Sequence, residues 1–496
     1  MKRFGDVEAN RRRYHADEAR NSVHRSSLLV PELPGATAEI SFLNHFLLKR
    51  GHREVACRIT AIDRAGEAIG SRLVTVDEPR VYAMTLTGSF GRDVATYHVE
   101  FFSARNLVMP FPAVMVNHRG PDFLNTVHAY NRVLNDVFED DAINATSVAE
   151  AGIDVLVGDE VDTFLVFAAG PIACNGELTL ELRTLDRTET AVVPVRTPRL
   201  THQVISLKRV FPHAKTGAQH VLKVRQPRQL LFYGRLLAGQ QTSGGAFSAN
   251  HSFYDTSSFR EYWPDTRGSR RSYPYFASFE SSVRMYPIMA PGRLALTLDL
   301  HGRSGELLTS APLGELASPG GGALEVSVGA VARSAGISDD EVAAFTLSAD
   351  GRKIPTRVNH QLVTHSGGLA SSINVSLDNP NVFVPDGREG LTWGQLPVGR
   401  ALDSRLGLVT KTPTGQPADV ECTIYGERGE IARVSRRLVP GAAVVLASED
   451  VGERAELDAA TPRYLWFMAR SRRPDISAFV LTRHRQSGCC TGDHTF

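Results

Sequence analysis

Histidines recur at two matched positions, ten residues apart, in four segments of this 496-residue chain. Six of the eight matched positions are histidine, although histidine makes up only 16 of the 496 residues. Neutral imidazole binds Zn, Cu, Ni and Fe(II), and it also serves as a general acid or base. The four segments run from His118 to His128, from Gln241 to His251, from His365 to Val375 and from His484 to His494.

The first and last segments keep both histidines, and they supply the candidate metal ligands. The residues between the two positions are small and Gly-rich in the last three segments, which predicts a tight β-hairpin with both histidines on one face. If the first and last segments are neighbours, four imidazoles converge on one transition-metal ion, the candidate cofactor. Asp493 and the Cys489–Cys490 pair would add donor atoms. The predicted ligands are His118, His128, His484 and His494.

Two other interpretations of these histidines stay open. A histidine copied with a duplicated segment can simply fix a turn, and the replacements Gln241 and Val375 fit a packing position that tolerates change. Acid–base catalysis is the third option. The spacing matches no established zinc signature, because the sequence has no HExxH motif and no paired CxxC motifs.

The elements that must position these residues also repeat along the chain. A strand-and-turn segment recurs with its turn residue at Gly66, Glu189, Gly305 and Gly429, at separations of 123, 116 and 124 residues. The later histidine position recurs independently at separations of 123, 124 and 119 residues. Two unrelated motifs with nearly the same period indicate about four diverged copies of one unit, with the histidine motif on its last strand.

Short alternating apolar runs between turn residues predict an all-β fold of tandem β-sandwich-like units with few short helices. The best helix candidate is Tyr130–Ile143, which contains the acidic cluster Glu139–Asp141. An Arg-rich, charged N-terminal arm precedes the units. The predicted limits are 1–34 for the arm and 35–150, 151–268, 269–388 and 389–496 for the units.

A segment rich in aromatic and basic residues extends from the end of the second unit into the third. Such side chains stack on sugars and anchor protein interfaces, although packing between units explains the same composition. The candidate binding residues are Tyr254, Phe259, Tyr262, Trp263, Arg270, Arg271, Tyr273 and Tyr275. The leading hypothesis is a non-catalytic binding or structural protein whose repeated units contact a glycan, a protein partner or further copies of the chain. A metal-binding protein or metal-dependent enzyme is the alternative.

Composition excludes several function classes. Lys plus Arg is 55 and Asp plus Glu is 54, so no bulk charge points to nucleic acid. No apolar run is long enough for a membrane span, and no signal peptide is evident, so cytoplasmic residence is the default expectation. Five cysteines do not make a disulfide framework. The sequence has no P-loop, no GxGxxG opening a helix and no GxSxG, which favours a non-enzymatic role.

Overall fold

β-Strands dominate the computed structural model of this chain, with 59% strand and 7% helix, so the predicted all-β class is confirmed. The sheets are small and antiparallel, and five short α-helices occur among the described residues. The helices in the described parts of the chain are all too short to span a bilayer. The structure describes residues 24–91, 93–103, 112–134, 150–183, 187–214, 220–256, 259–320, 323–377 and 389–496.

The first pair of sheets is built from residues 24–128, and a short strand at 131–133 follows it. Its sheets have the strand orders β1-β6-β3-β4 and β5-β2-β7-β8. The elements are β1 His24–Pro31, β2 Thr37–Leu43, α1 His45–Arg50, β3 Val55–Asp63, β4 Ala68–Val76, β5 Val81–Thr85, β6 Val94–Ser103, β7 Met115–Arg119, β8 Leu124–His128 and β9 Asn131–Val133.

The second pair of sheets lies within residues 150–254, in the orders β13-β12-β15-β10-β19 and β14-β11-β17-β18. The short strand β16 pairs instead with β9. The elements are β10 Glu150–Val155, β11 Val161–Ala168, β12 Cys174–Arg183, β13 Thr188–Thr197, β14 His202–Ser206, α2 Leu207–Val210, β15 His220–Arg225, β16 Phe232–Gly234, β17 Leu237–Thr242, β18 Phe247–His251 and β19 Phe253–Tyr254.

The third pair of sheets has the orders β20-β25-β22-β23 and β24-β21-β26-β27. Two 3₁₀ turns accompany it, at Ala277–Phe279 and Asp339–Glu341. The elements are β20 Gly268–Pro274, β21 Ser281–Met289, β22 Gly292–His301, β23 Leu307–Ser318, β24 Leu324–Ser327, α3 Val328–Ser334, β25 Ala344–Asp350, β26 Val358–Ser366 and β27 Leu369–Ser376.

The fourth pair of sheets has the orders β28-β33-β30-β31 and β32-β29-β34-β35. Its elements are β28 Gly390–Val398, β29 Leu402–Thr410, β30 Ala418–Gly426, β31 Gly429–Leu438, β32 Ala443–Ala447, α4 Ser448–Val451, α5 Arg454–Leu457, β33 Arg463–Ser471, β34 Ile476–His484 and β35 Cys490–His494. One apolar cluster draws residues from both sheets, including Leu406 and Val480 from one and Ile424 and Phe467 from the other.

The same strand order occurs in all four pairs when the short β9, β16 and β19 are set aside. One sheet joins the first, sixth, third and fourth strands of a pair, and the other joins the fifth, second, seventh and eighth. We propose that each pair of sheets is one of the units predicted from the sequence. The seventh and eighth strands form the hairpin that carries both matched histidine positions, as in β7–β8 and β34–β35.

Two segments differ from the sequence-based predictions. Strand β1 lies within the predicted N-terminal arm, because Leu28, Leu29 and Val30 are buried and pair with β6. Residues 1–23 lie outside the described part of the chain. In the predicted helix Tyr130–Ile143, residues 131–133 form β9, where Val133 is buried and pairs with Phe232. Residues 135–149, with the acidic cluster, lie outside the described residues.

Candidate functional site

The last strands of the four pairs meet around one axis. Strand β8 contacts β18 and β35, and β27 contacts the same two strands, so the four form a closed circuit. Side chains join these strands to their neighbours' backbones. The backbone N–H of Ala249 donates to Asn125 Oδ1 at 2.6 Å. The backbone N–H of Thr126 donates to Thr491 Oγ1 at 2.9 Å. Equivalent ends of the four strands are therefore brought together.

Three imidazoles converge where these strands end. His128, His251 and His494 are the last residues of β8, β18 and β35. One ring nitrogen of each lies within 4.8 Å of those of the other two. The ring centroid of His128 is 4.6 Å from that of His251 and 4.7 Å from that of His494. Val375 on β27 occupies the fourth matched position. The cluster thus combines three of the four copies of the later histidine column.

Each of the three rings is oriented by an oxygen atom next to its Nδ1. For His128 this is Asp493 Oδ2 at 3.0 Å, for His251 the carbonyl of Ser252 at 3.0 Å, and for His494 the carbonyl of Thr495 at 3.2 Å. For His128 and His494 this oxygen favours the tautomer with the proton on Nδ1, whereas at His251 the donor Arg235 Nη1 lies equally close to Nδ1, at 3.0 Å. In that tautomer the Nε2 atom carries the lone pair, as a metal-binding imidazole requires.

The electrostatics of the cluster keep two of the rings neutral. Burial and the neighbouring His128 together lower the pKa of His494 to about 4. Burial, Arg235 and His128 hold the pKa of His251 well below its usual range. Burial alone would raise the pKa of Asp493, but the hydrogen bonds and charge of His128 outweigh it, so the net pKa is lowered. Two neutral imidazoles and an ionised carboxylate favour a cation here.

A cleft of about 250 Å³ opens beside the cluster. His251 and His494 form part of its wall, together with three half-buried arginines. Among the described residues that line it, none is acidic. The lining residues other than the two histidines are Arg235, Ser252, Phe253, Tyr254, Arg271, Arg357, Asn359, Asn374, Val375 and Ser376.

Arg235 links the cleft to the histidine cluster. Its Nη1 atom lies 3.0 Å from Nδ1 and 3.2 Å from Nε2 of His251. The same guanidinium lies 4.9 Å from the ring centroid of Tyr254. Arg357 lies 4.7 Å from that centroid, so two guanidiniums share one aromatic ring. The cleft is therefore strongly basic next to the neutral imidazoles.

The structure brings together two of the four predicted metal ligands, His128 and His494. His118 is fully buried elsewhere, with its Nε2 3.0 Å from the Pro31 carbonyl. In the hairpin, His118 pairs with Asn125 whereas His128 pairs with Met115. These two residue pairs are three residues apart along the hairpin. That spacing separates His118 from His128 by about 10 Å and places their side chains on opposite faces. His484 likewise lies five residues along β34 from Phe479, the partner of His494.

The predicted aromatic and basic residues have several different environments. Tyr254 and Arg271 line the cleft beside the histidines. Tyr262 and Trp263 are half-buried and line an open groove of about 550 Å³. Tyr273 and Tyr275 are buried in the core of the third pair of sheets. The exposed members of the set are Phe259 and Arg270.

Three important residues were absent from the predicted ligand and binding sets. His251 stands in the matched histidine column, but the predicted ligand set takes only the first and last segments, which keep both histidines. Arg235 and Arg357 carry no local signal, because each is an isolated arginine just before a strand, and only folding places both at Tyr254. The recurrence of histidine at the later matched position is the sequence signal that identifies His251.

No protein-family model matches this sequence, and no curated protein matches it. A calcium-binding mutant of Bacteroides uniformis β-glucuronidase 2 aligns at 11% identity over 46% of this chain and 26% of its own, with a TM-score of 0.12. This chain thus spans about a quarter of that enzyme's length. A tetra-tandem repeat from the extending region of a large adhesion protein aligns at 12% identity over 94% of this chain and 97% of its own, with a TM-score of 0.11. TM-scores this low carry no functional argument.

Proposed function

We propose that this chain is a metal-binding protein that holds one transition-metal ion at His128, His251 and His494. The observation that carries the proposal is the convergence of three imidazoles, each with an oxygen acceptor at Nδ1. Imidazole ligands suit Zn, Cu, Ni and Fe(II), and three of them leave a coordination position for water or an anion. Val375 adds no donor atom at the fourth matched position.

The ion would draw the three rings closer together. Tetrahedral bonds of about 2.0–2.1 Å place ligand nitrogens about 3.4 Å apart, whereas the ring nitrogens here are separated by up to 4.8 Å. Arg235 also contacts both nitrogens of His251 and opposes a cation there. Metal binding therefore requires the guanidinium to turn into the adjoining cleft, which Arg235 already lines.

Asp493 supplies the compensating charge without joining the proposed ligands. Its side chain is buried and contacts His128 Nδ1 through both carboxylate oxygens, at 3.1 and 3.0 Å. A carboxylate behind a metal-bound imidazole fixes the ring and makes it a stronger ligand. This contact also explains how a dication could be held in a buried site that contains a second cation, Arg235.

Metal analysis of the purified full chain tests this proposal. After purification without chelator, or after reloading with Co²⁺ or Zn²⁺, we expect close to one ion per chain. The variants His128→Ala, His251→Ala and His494→Ala should lose most of it. His365→Gln is the matched control, because His365 belongs to the earlier column, is 47% exposed and pairs with Glu325. An unchanged metal content in a variant that combines all three substitutions would overturn the proposal, as would a wild-type chain that cannot be loaded.

The binding function predicted from the aromatic segment has one specific support and is the second candidate. Tyr262 and Trp263 present half-buried rings to the open groove, beside Arg267, Arg352 and Lys353. Aromatic faces flanked by polar groups suit a sugar ring. On a glycan array, Trp263→Ala should abolish any binding of the wild type, whereas Phe259→Ala, an exposed ring outside the groove, should preserve it. A wild type that binds no glycan removes this candidate.

A further inference from the structure

We propose that Arg235, Arg271 and Arg357 form a binding site for a small, multiply charged anion with phosphoryl or carboxylate oxygens. The three side chains come from separate parts of the chain and line the same cleft. Arg235 lies between β16 and β17, Arg271 lies on β20, and Arg357 immediately precedes β26. Guanidinium groups donate paired hydrogen bonds to carboxylates and phosphates, which makes arginine the common residue for such ligands.

Two of the three arginines in the cleft are not balanced by a carboxylate of the described residues. Arg235 and Arg357 form no ion pair with a carboxylate among the described residues, and both rest on the ring of Tyr254. The Nε atom of Arg235 is buried and has no hydrogen-bond partner in the described part of the chain. Two half-buried guanidiniums beside one ring repel each other, and an anion between them would relieve this repulsion.

The ionisation of Arg357 is consistent with this arrangement. Burial lowers the pKa of its guanidinium, and the positive charge of Arg235 lowers it further. Glu261 acts in the opposite direction but does not reverse the shift. A bound anion stabilises both cations and offsets the repulsion between them, which favours binding of the ligand.

Arg271 is already fixed at the edge of the cleft. Its Nη1 donates to the carbonyl of Ser376 at 3.0 Å, and its Nη2 donates to Ser477 Oγ at 3.3 Å. The guanidinium also lies 5.6 Å from the ring centroid of Tyr273. A side chain held by its neighbours loses little rotamer freedom when a ligand binds. Arg271 therefore contributes a preorganised charge.

The size and shape of the cleft select a small ligand. A volume of about 250 Å³ holds a phosphate ester, pyrophosphate or a tricarboxylate but not a folded partner. The arginines surround a cavity instead of forming a stripe along the surface, which distinguishes the site from a nucleic-acid-binding face. All the residues that line the cleft belong to this one chain, so no second molecule is needed to complete the anion site.

Calorimetric titration of the chelator-treated full chain tests the anion site separately from the metal site. Pyrophosphate and citrate serve as the phosphoryl and carboxylate probes, and binding of only one assigns the ligand class. We expect saturable binding, and Arg357→Gln should weaken it at least about tenfold because a charge-assisted contact is lost. Arg436→Gln, an exposed arginine on β31, is the matched control and should bind as the wild type does.

A thermal-shift measurement guards against a variant that fails to fold. The better-binding probe should raise the melting temperature of the wild type and of Arg436→Gln, but not that of Arg235→Gln. If neither probe binds the wild type at millimolar concentration, the site does not exist. Equal weakening by Arg436→Gln and Arg357→Gln would also overturn it, because the effect would then be general charge screening. Neither outcome bears on the metal content of the chain.

Discussion

The carboxylate of Asp493 holds both the backbone and the ring of His128, a residue 365 positions earlier in the chain. Its Oδ2 accepts the backbone N–H of His128 at 2.7 Å and lies 3.0 Å from the ring Nδ1. Asp493 is on β35 and His128 is on β8, so this contact joins the last pair of sheets to the first. One buried side chain therefore stabilises the closed circuit of strands and orients a proposed metal ligand.

Replacing Asp493 with asparagine should weaken both roles. The amide keeps the shape of the side chain but removes its charge and one of its acceptor oxygens. We expect metal affinity to fall by about 10- to 100-fold and the free energy of unfolding to fall by about 1–3 kcal/mol. Competition with a chromophoric chelator and urea denaturation measure the two effects. Asp419→Asn, at an exposed ion pair, is the control. Unchanged metal affinity would show that the contact is only structural.

The sequence predicted the strands of this site better than the site itself. Fixed spacing placed the later histidine column on the last strand of each unit, which is where β8, β18 and β35 end. Periodicity along a chain, however, does not give the angle between successive units. The predicted ligand set therefore combines both histidines of the first hairpin with both of the last, although hairpin register sends His118 and His128 to opposite faces.

The contact between the first and last pairs of sheets was also beyond sequence reasoning. Asn117 and Gln395 exchange two hydrogen bonds, of 3.0 and 2.9 Å, across 278 residues. Trp466 Nε1 donates to Ser41 Oγ at 2.8 Å in the same region. Polar residues within strands give no periodic signal for a partner so distant. The reason for burying these polar side chains is clear only when the strand that carries their hydrogen-bond partners is known.

Truncating Gln395 to alanine should destabilise this contact. The change leaves Asn117 Nδ2 without its acceptor, while Asn117 Oδ1 keeps the hydrogen bond from Thr126 Oγ1. A buried donor without a partner costs about 1–3 kcal/mol. Urea denaturation should report a loss of this size. Gln416→Ala removes an exposed amide of the same type and should change the free energy of unfolding by less than about 0.5 kcal/mol. Equal effects of the two variants would contradict the proposed role of the contact.

Stability should fall as the pH decreases from about 6.5 toward 4. Burial lowers the pKa of several histidines in the folded chain, so the unfolded chain binds more protons in this range. Each of these histidines should then lower the free energy of unfolding by on the order of 1 kcal/mol as the pH falls from 7 to 5. The free energy of unfolding in urea at pH 7, 6 and 5 measures the slope, and a flat profile would contradict this prediction. The groups lowered to about 4 or below are His45, His118, His202, His360 and His494.

Restoring a histidine at Val375 should strengthen metal binding. Val375 occupies the fourth matched position and lines the cleft with His251 and His494. A fourth imidazole there would replace a water ligand, and we expect affinity for Co²⁺ or Zn²⁺ to rise by about tenfold or more. The visible spectrum of the Co²⁺ form should change as its ligand set changes. Val375→Leu keeps the site apolar and should leave both affinity and spectrum as in the wild type. If Val375→His behaves like Val375→Leu, the ion is not held at the end of these four strands.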